Sequence, residues 1–241
     1  MVVADSGHDG EYLVIDDADG RVLDSGKLPL GAAGGDDLEG LTSDGDRIWA
    51  ITSSGWLRAW RARPTGGFEL VVAAYRVDDE DPCPVDAVNC GLNYEGLCLA
   101  PAVVPAAALG GCRGFAAAKA TGDLVCLVAD GDRWRADPTR SIHVGAREVL
   151  AACDITADGT VWTGDNLFGG STVRRIVGGA ITDSVHLGDG FPEAMAVAPA
   201  GTIYRFSDTG GAPSRIAAYR CTPTTSAAEP AKKDALDGHG G

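Results

Sequence analysis

Aromatic residues make up only 6% of this 241-residue chain, and it has just two methionines. Its core must therefore be closed by small side chains in tight contact, not by a few large rings. Apolar runs are short as well. None reaches the ~18 residues that a membrane-crossing helix needs, so no such span is expected. Lysine is scarce, with four positions (Lys27, Lys119, Lys232 and Lys233) among twenty cationic residues, and the formal net charge is −14. So acidic a chain repels nucleic acid and anionic membranes within a Debye length, which disfavours both as partners. Several chemical motifs are missing too. There is no G-x-S-x-G elbow for a serine hydrolase and no glycine-rich loop opening a helix for a nucleotide. No C-x-x-C pair occurs, and the four histidines are scattered, which argues against a zinc site. The opening residues Met1-Val2-Val3-Ala4-Asp5 lack the charged-then-apolar layout of a signal peptide.

What the chain does have is glycine, 34 residues of it, within a composition that is 45% hydrophobic. Many tight turns joining short strands follow from that mixture. It also has seven cysteines: Cys83, Cys90, Cys98, Cys112, Cys126, Cys153 and Cys221. Cys83 and Cys90 flank a short polar loop, and a disulfide between them pins an otherwise loose connection. Such bridges persist in oxidising compartments. The protein is thus expected to be exported (periplasmic, cell-surface or secreted), with Met1 standing where an export signal was removed. Cys98, Cys126 and Cys153 lie in strand-like runs and read as small buried hydrophobes. The odd count leaves at least one thiol unpaired.

One unit recurs along the chain: an acidic residue, a small or apolar run, a glycine turn, then a second strand. It appears at Asp37–Thr52, again from Asn93, again at Ala152–Asp165, and finally at Pro192–Ser207. Each copy is a hairpin, and further strand pairs such as Trp56–Trp60 with Phe68–Tyr75 follow it. Four strands in ~40–50 residues is the pattern of a propeller blade. The expected fold is an all-β, single β-propeller over residues 1–221, with five four-stranded blades and six left open. Strands near the N-terminus are expected to close it as a partial blade. Residues 222–241 lack apolar periodicity and are expected to form a disordered tail. Pro105–Leu109 has room for one helical turn, ended by Gly110-Gly111. The five tryptophans are expected between blades.

In a propeller the first strand of each blade lines the central channel. Glu39, Glu95, Asp154 and Glu193 open the four copies at separations of 56, 59 and 39 residues. They are expected to meet at one rim. Four close carboxylates cannot all stay ionised without a counter-charge. A divalent cation of the Ca²⁺ type, which takes six to eight oxygens, is the expected occupant. Solvated carboxylates around ordered water are the plainer alternative. Lys119 and Arg205 on second strands, with Asp165 and Asp208 in the loops after them, are candidates for the channel mouth. For the two cations a salt bridge to Glu95 or Glu193 is the preferred role.

These motifs, Asp37-Leu38-Glu39-Gly40-Leu41, Glu95-Gly96-Leu97, Ala118-Lys119, Asp154-Ile155-Thr156 and Pro192-Glu193-Ala194, taken in order, resemble the SdiA-regulated, YjiK-like propellers. Those are related to the esterase-like phytase propellers. The resemblance runs from about Val2 to Arg220. It implies an exported propeller with a Ca²⁺-type metal near acidic first-strand residues. The chain departs from the pattern at Glu193-Ala194 and at Ala120. The reading ranked first is an exported, metal-binding scaffold, monomeric, that takes a peptide, glycan or protein at a channel mouth. The alternative is a metal-dependent hydrolase of phosphoesters or lactones using the same site. An all-carboxylate ring neutralises its cation and favours binding over catalysis. A third reading leaves the channel to water and places function on loops such as 77–93.

Overall fold

A computed structural model describes residues 1–4, 7–78, 83–85, 87–166, 171–187, 192–207 and 214–220. Five antiparallel sheets follow one another along the chain. The first holds β1 (Val2–Val3), β2 (Glu11–Ile15) and β3 (Val22–Lys27). The second holds β4 (Leu38–Ser43), β5 (Arg47–Thr52), β6 (Trp56–Ala62) and β7 (Phe68–Arg76). The third holds β8 (Tyr94–Leu99), β9 (Gly114–Ala118), β10 (Asp123–Asp130) and β11 (Arg133–His143). The fourth holds β12 (Leu150–Ile155), β13 (Val161–Asp165), β14 (Ser171–Val177) and β15 (Ala180–Leu187). The fifth holds β16 (Pro192–Val197), β17 (Thr202–Ser207) and β18 (Arg215–Arg220). The molecule is a five-bladed β-propeller with mostly four-stranded blades. A single 3₁₀ turn, Ala106–Leu109, stops at Gly110, which takes a left-handed φ of 66° that a side chain would resist.

The core is not one mass but four seams between blades. Tyr12, Leu38 and Trp60 pack between the first and second blades. Trp49, Tyr94 and Leu127 pack between the second and third. Phe115, Leu150 and Ile176 pack between the third and fourth. Val173, Met195 and Ile203 pack between the fourth and fifth. Trp49 meets Trp134 edge-on across one of these seams, with centroids 6.1 Å apart. The first strands approach so closely that a Cβ on Gly40 would collide with the backbone of Leu97. Scarcity of large side chains and this close approach are the same fact seen twice.

The N-terminal blade is offset by one strand. In the second and third blades the turn from second to third strand carries a positive-φ glycine whose carbonyl accepts the residue that follows the fourth strand. Those bonds are Val77 N to Gly55 O and Val144 N to Gly122 O, at 2.9 and 3.0 Å. The first blade repeats the bond as Leu28 N to Gly10 O at 2.9 Å. Gly10 lies between β1 and β2, so β1, β2 and β3 are the second, third and fourth strands of their blade. Consistently, β1 touches β4 as β5 touches β8 and β13 touches β16. The expected closure by N-terminal strands is realised in this form.

Three disulfides are present: Cys83–Cys90, Cys98–Cys153 and Cys112–Cys126. The first is the bridge expected from sequence. Cys98, Cys126 and Cys153 are buried as expected, but the other two bridges show that they are paired and not merely small hydrophobes. Burial and pairing coincide here because adjacent first strands, β8 and β12, bring Cys98 and Cys153 to a Cα separation of 5.6 Å. Cys221 lies outside the described residues, as does the tail expected to be disordered. The bridges point to an oxidising, extracytoplasmic environment. Among the described residues no helix is long and apolar enough to cross a membrane.

Candidate functional site

Each described first strand opens with a β-bulge at its second residue. Leu38 pairs with Thr52 and Gly40 with Ile51, which leaves Glu39 as the extra residue. Tyr94 pairs with Ala118 and Gly96 with Ala117, leaving Glu95. In the fourth blade Leu150 pairs with Asp165 and Ala152 with Gly164, leaving Ala151. In the fifth Pro192 pairs with Ser207 and Ala194 with Phe206, leaving Glu193. Bulges re-aim a side chain at the rim of a sheet. The equivalent stations are thus Glu39, Glu95, Ala151 and Glu193, and three of them are glutamates.

Asp154 is not one of them. It is the fifth residue of β12, opposite Trp162, three positions beyond the bulge. Its carboxylate accepts the backbone N–H of Ile155 at 2.7 Å and of Val197 at 2.6 Å. It therefore ties the fourth blade's first strand to the last residue of β16. Burial raises its carboxyl above the ordinary aspartate value, and the two N–H donors oppose that shift. Residue type had matched Asp154 to the glutamates; distance from the bulge separates them.

A cavity of about 660 Å³ runs down the axis from this rim. Glu39 and Glu95 line its mouth, while Leu41, Leu97, Cys153 and Met195, one from each described first strand, form an apolar wall. It widens sideways between the fifth and first blades, past Tyr204, Phe206 and Ile216 on one side and Val3 and Ile15 on the other. Glu193 and Asp154 do not line it. Glu95 is 6% exposed and accepts Lys119 Nζ at 3.0 Å, the salt bridge preferred from sequence. Among the described residues no group of three or more His, Cys, Asp or Glu side chains could hold a metal ion. Glutamate oxygens suit a hard cation, but the set in place is incomplete for Ca²⁺.

Arg205 does not reach the channel mouth. Its Nη2 donates to the carbonyls of Asp165 at 2.8 Å and Pro192 at 3.1 Å, in room left by the missing side chain of Gly164. Burial lowers its pKa to about 10, against the attraction of Asp165. Asp165, buried at the end of β13, takes Arg174 Nη1 at 2.6 Å. Both residues join the fourth and fifth blades. Asp208 lies outside the described residues. Sequence reading passed over Arg58, which is fully buried and donates to the carbonyls of Leu30 and Gly34 at 3.0 and 2.7 Å. Asp37, which the sequence placed in the first repeat motif without a role of its own, accepts the Ser53 hydroxyl. The Leu-Glu-Gly and Tyr-Glu-Gly triplets marked the bulges; nothing in the sequence marked Ala151.

No family model and no curated protein matches this chain. Among solved structures, Myxococcus xanthus glutaminyl cyclase is similar at 17% identity and a TM-score of 0.52, over 84% of this chain and 79% of that one. A Bacteroides uniformis protein provisionally described as a 6-phosphogluconolactonase is 14% identical, with a TM-score of 0.48 over 92% of this chain and 64% of that one. An inactive variant of Staphylococcus aureus virginiamycin B lyase is 11% identical, with a TM-score of 0.41 over 90% and 68%. At such identities the likeness is one of fold. The chain is a β-propeller structurally similar to glutaminyl cyclase, lactonase and lyase propellers.

Proposed function

We propose that the protein is an exported binding module that takes the cationic end of a partly apolar ligand into the mouth of its central cavity. The observation that carries this reading is the shared bulge, which sets Glu39, Glu95 and Glu193 at equivalent stations above apolar walls. A carboxylate pair over an apolar shaft suits an ammonium group followed by a hydrophobic body, as in a short peptide entering by its N-terminus. Glu39 and Glu95 stand together at the mouth, Glu95 in a salt bridge to Lys119. The test is a thermal-shift screen of short apolar peptides with free N-terminal amines against the same peptides N-acetylated. Free-amine peptides are expected to raise Tm, and Glu39→Gln to remove the effect. Equal shifts for both sets, or none, count against the reading.

A Ca²⁺-type cation at the same rim is the second reading, favoured by the chemistry of the three equivalent glutamates. It requires Lys119 to leave Glu95, and Asp154 takes no part in it. Elemental analysis of the purified protein and loss of Tm on chelation test it. The relation to YjiK-like propellers rests on the order of the short motifs and supports either reading. Turnover of phosphoesters or lactones that disappears in Glu39→Gln would instead favour a hydrolase.

A further inference from the structure

A second cavity, of about 330 Å³, lies in the seam between the third and fourth blades and shares no lining residue with the central one. On one side β11, the outermost strand of the third blade, lends it Arg140, Ser141 and His143. On the other are turn glycines of the fourth blade, Gly159, Gly178 and Gly179. Phe115, Val161 and Ile176 give it apolar surface. The chain carries 34 aspartates and glutamates, yet none lines this cavity.

Two features build it. The first is a bulge. Leu124 pairs with Ile142 and Cys126 with Asp137, so the four residues from Pro138 to Ser141 face Val125 alone. A regular strand turns neighbouring residues to opposite faces; this bulge brings both Arg140 and Ser141 to one cavity. The second is the Cys112–Cys126 disulfide, which ties the end of the Gly110-Gly111 turn to the strand opposite the bulge. Arg140 is held in orientation as well. Asp137 Oδ2 takes its Nε at 2.8 Å and its Nη2 at 2.7 Å, and Asp137 Oδ1 accepts the N–H and hydroxyl of Thr139 at 3.2 and 2.5 Å. Arg140 Nη1 keeps one long contact, 3.4 Å to Gly111 O. A Cβ on Gly111 would stand 2.6 Å from that nitrogen, so glycine there makes room for it. Ser141 Oγ is buried and, among the described residues, has no hydrogen-bond partner, a costly and uncommon condition for a hydroxyl. His143 Nδ1 is engaged by Asp123 at 2.7 Å.

We propose that this seam cavity binds a small monocarboxylate with an apolar body, its carboxylate received by Arg140 Nη1 and Ser141 Oγ. Two donors from adjacent residues suit the two oxygens of one carboxylate. Asp137 offsets the charge of Arg140, so a single negative charge is matched where a phosphate dianion is not. The volume lies at the small end for ligand pockets, which restricts the body to a short aliphatic chain or a single ring against Phe115, Val161 and Ile176. This inference is independent of the cationic ligand proposed for the central cavity.

The test is a titration of the whole protein with sodium hexanoate, read by two-dimensional amide NMR, with hexanamide as the uncharged match. Hexanoate is expected to shift the amides of Gly110, Gly159, Gly178 and Gly179 in a saturable way, and to leave Gly40 and Gly96 at the central cavity unmoved. Hexanamide is expected to bind more weakly. Arg140→Gln and Ser141→Ala should each weaken hexanoate by roughly tenfold, the loss of one hydrogen bond to a charged group. No saturable shift, equal binding of hexanamide, or shifts centred on Gly40 and Gly96 would overturn the proposal. If Arg140→Gln does not fold, Ser141→Ala decides, and unchanged hexanoate affinity in that variant overturns it.

Discussion

Replacing Cys98 and Cys153 together by alanine removes the one bridge that joins first strands of two blades. The bridge closes a separation of 55 residues. Restricting a loop of that length in the unfolded chain contributes about 4 kcal/mol by the chain-entropy relation, against about 2.4 kcal/mol for the 7-residue separation of Cys83–Cys90. Both bridged positions in the first case are buried in the seam between the third and fourth blades, so lost packing adds to the larger figure. Urea unfolding followed by tryptophan fluorescence is a suitable assay, because Trp49 and Trp60 are fully buried. The Cys98→Ala/Cys153→Ala protein should show a lower midpoint and a steeper slope, since its unfolded state expands further. The Cys83→Ala/Cys90→Ala protein should lose about half as much. Equal losses in the two double variants would refute loop length as the governing quantity.

Asp154 gives a pH signature. Its folded pKa is raised above the unfolded value of 3.8, so its protonation stabilises the native state fully below that pH, and the benefit is lost as pH rises through the folded value. Asp154→Asn should remove this component, and stability differences measured between pH 3 and 7 should narrow in the variant's favour as pH increases. Lys119→Met strips the cation from Glu95, which is 6% exposed, and should cost about 3 kcal/mol by denaturant titration, with Lys119→Arg recovering part of it. Gly40→Ala places a Cβ against the backbone of Leu97 and should cost about 3 kcal/mol, whereas Gly45→Ala, with open space around it, should cost less despite its positive φ.

Local sequence determined that this chain builds short antiparallel strands and roughly where they start, and it narrowed the blades to five or six. Strand periodicity and glycine turns are properties of neighbouring residues, and Asp37–Thr52 or Pro192–Ser207 carry them without help from the rest of the molecule. The Cys83–Cys90 bridge was legible for the same reason: its ends are close in the chain. Tertiary structure alone decided which residues occupy the bulged stations. Asp154 and Ala151 are three residues apart on one strand, and only the pairing of β12 with β13 shows which is bulged. It also decided that Cys98 meets Cys153, a contact between first strands of neighbouring blades whose residues lie 55 apart in the chain. Which strand of the first blade β1 represents depends on a hydrogen bond from Leu28 back to Gly10, and a linear pattern of hydrophobicity carries no trace of that bond.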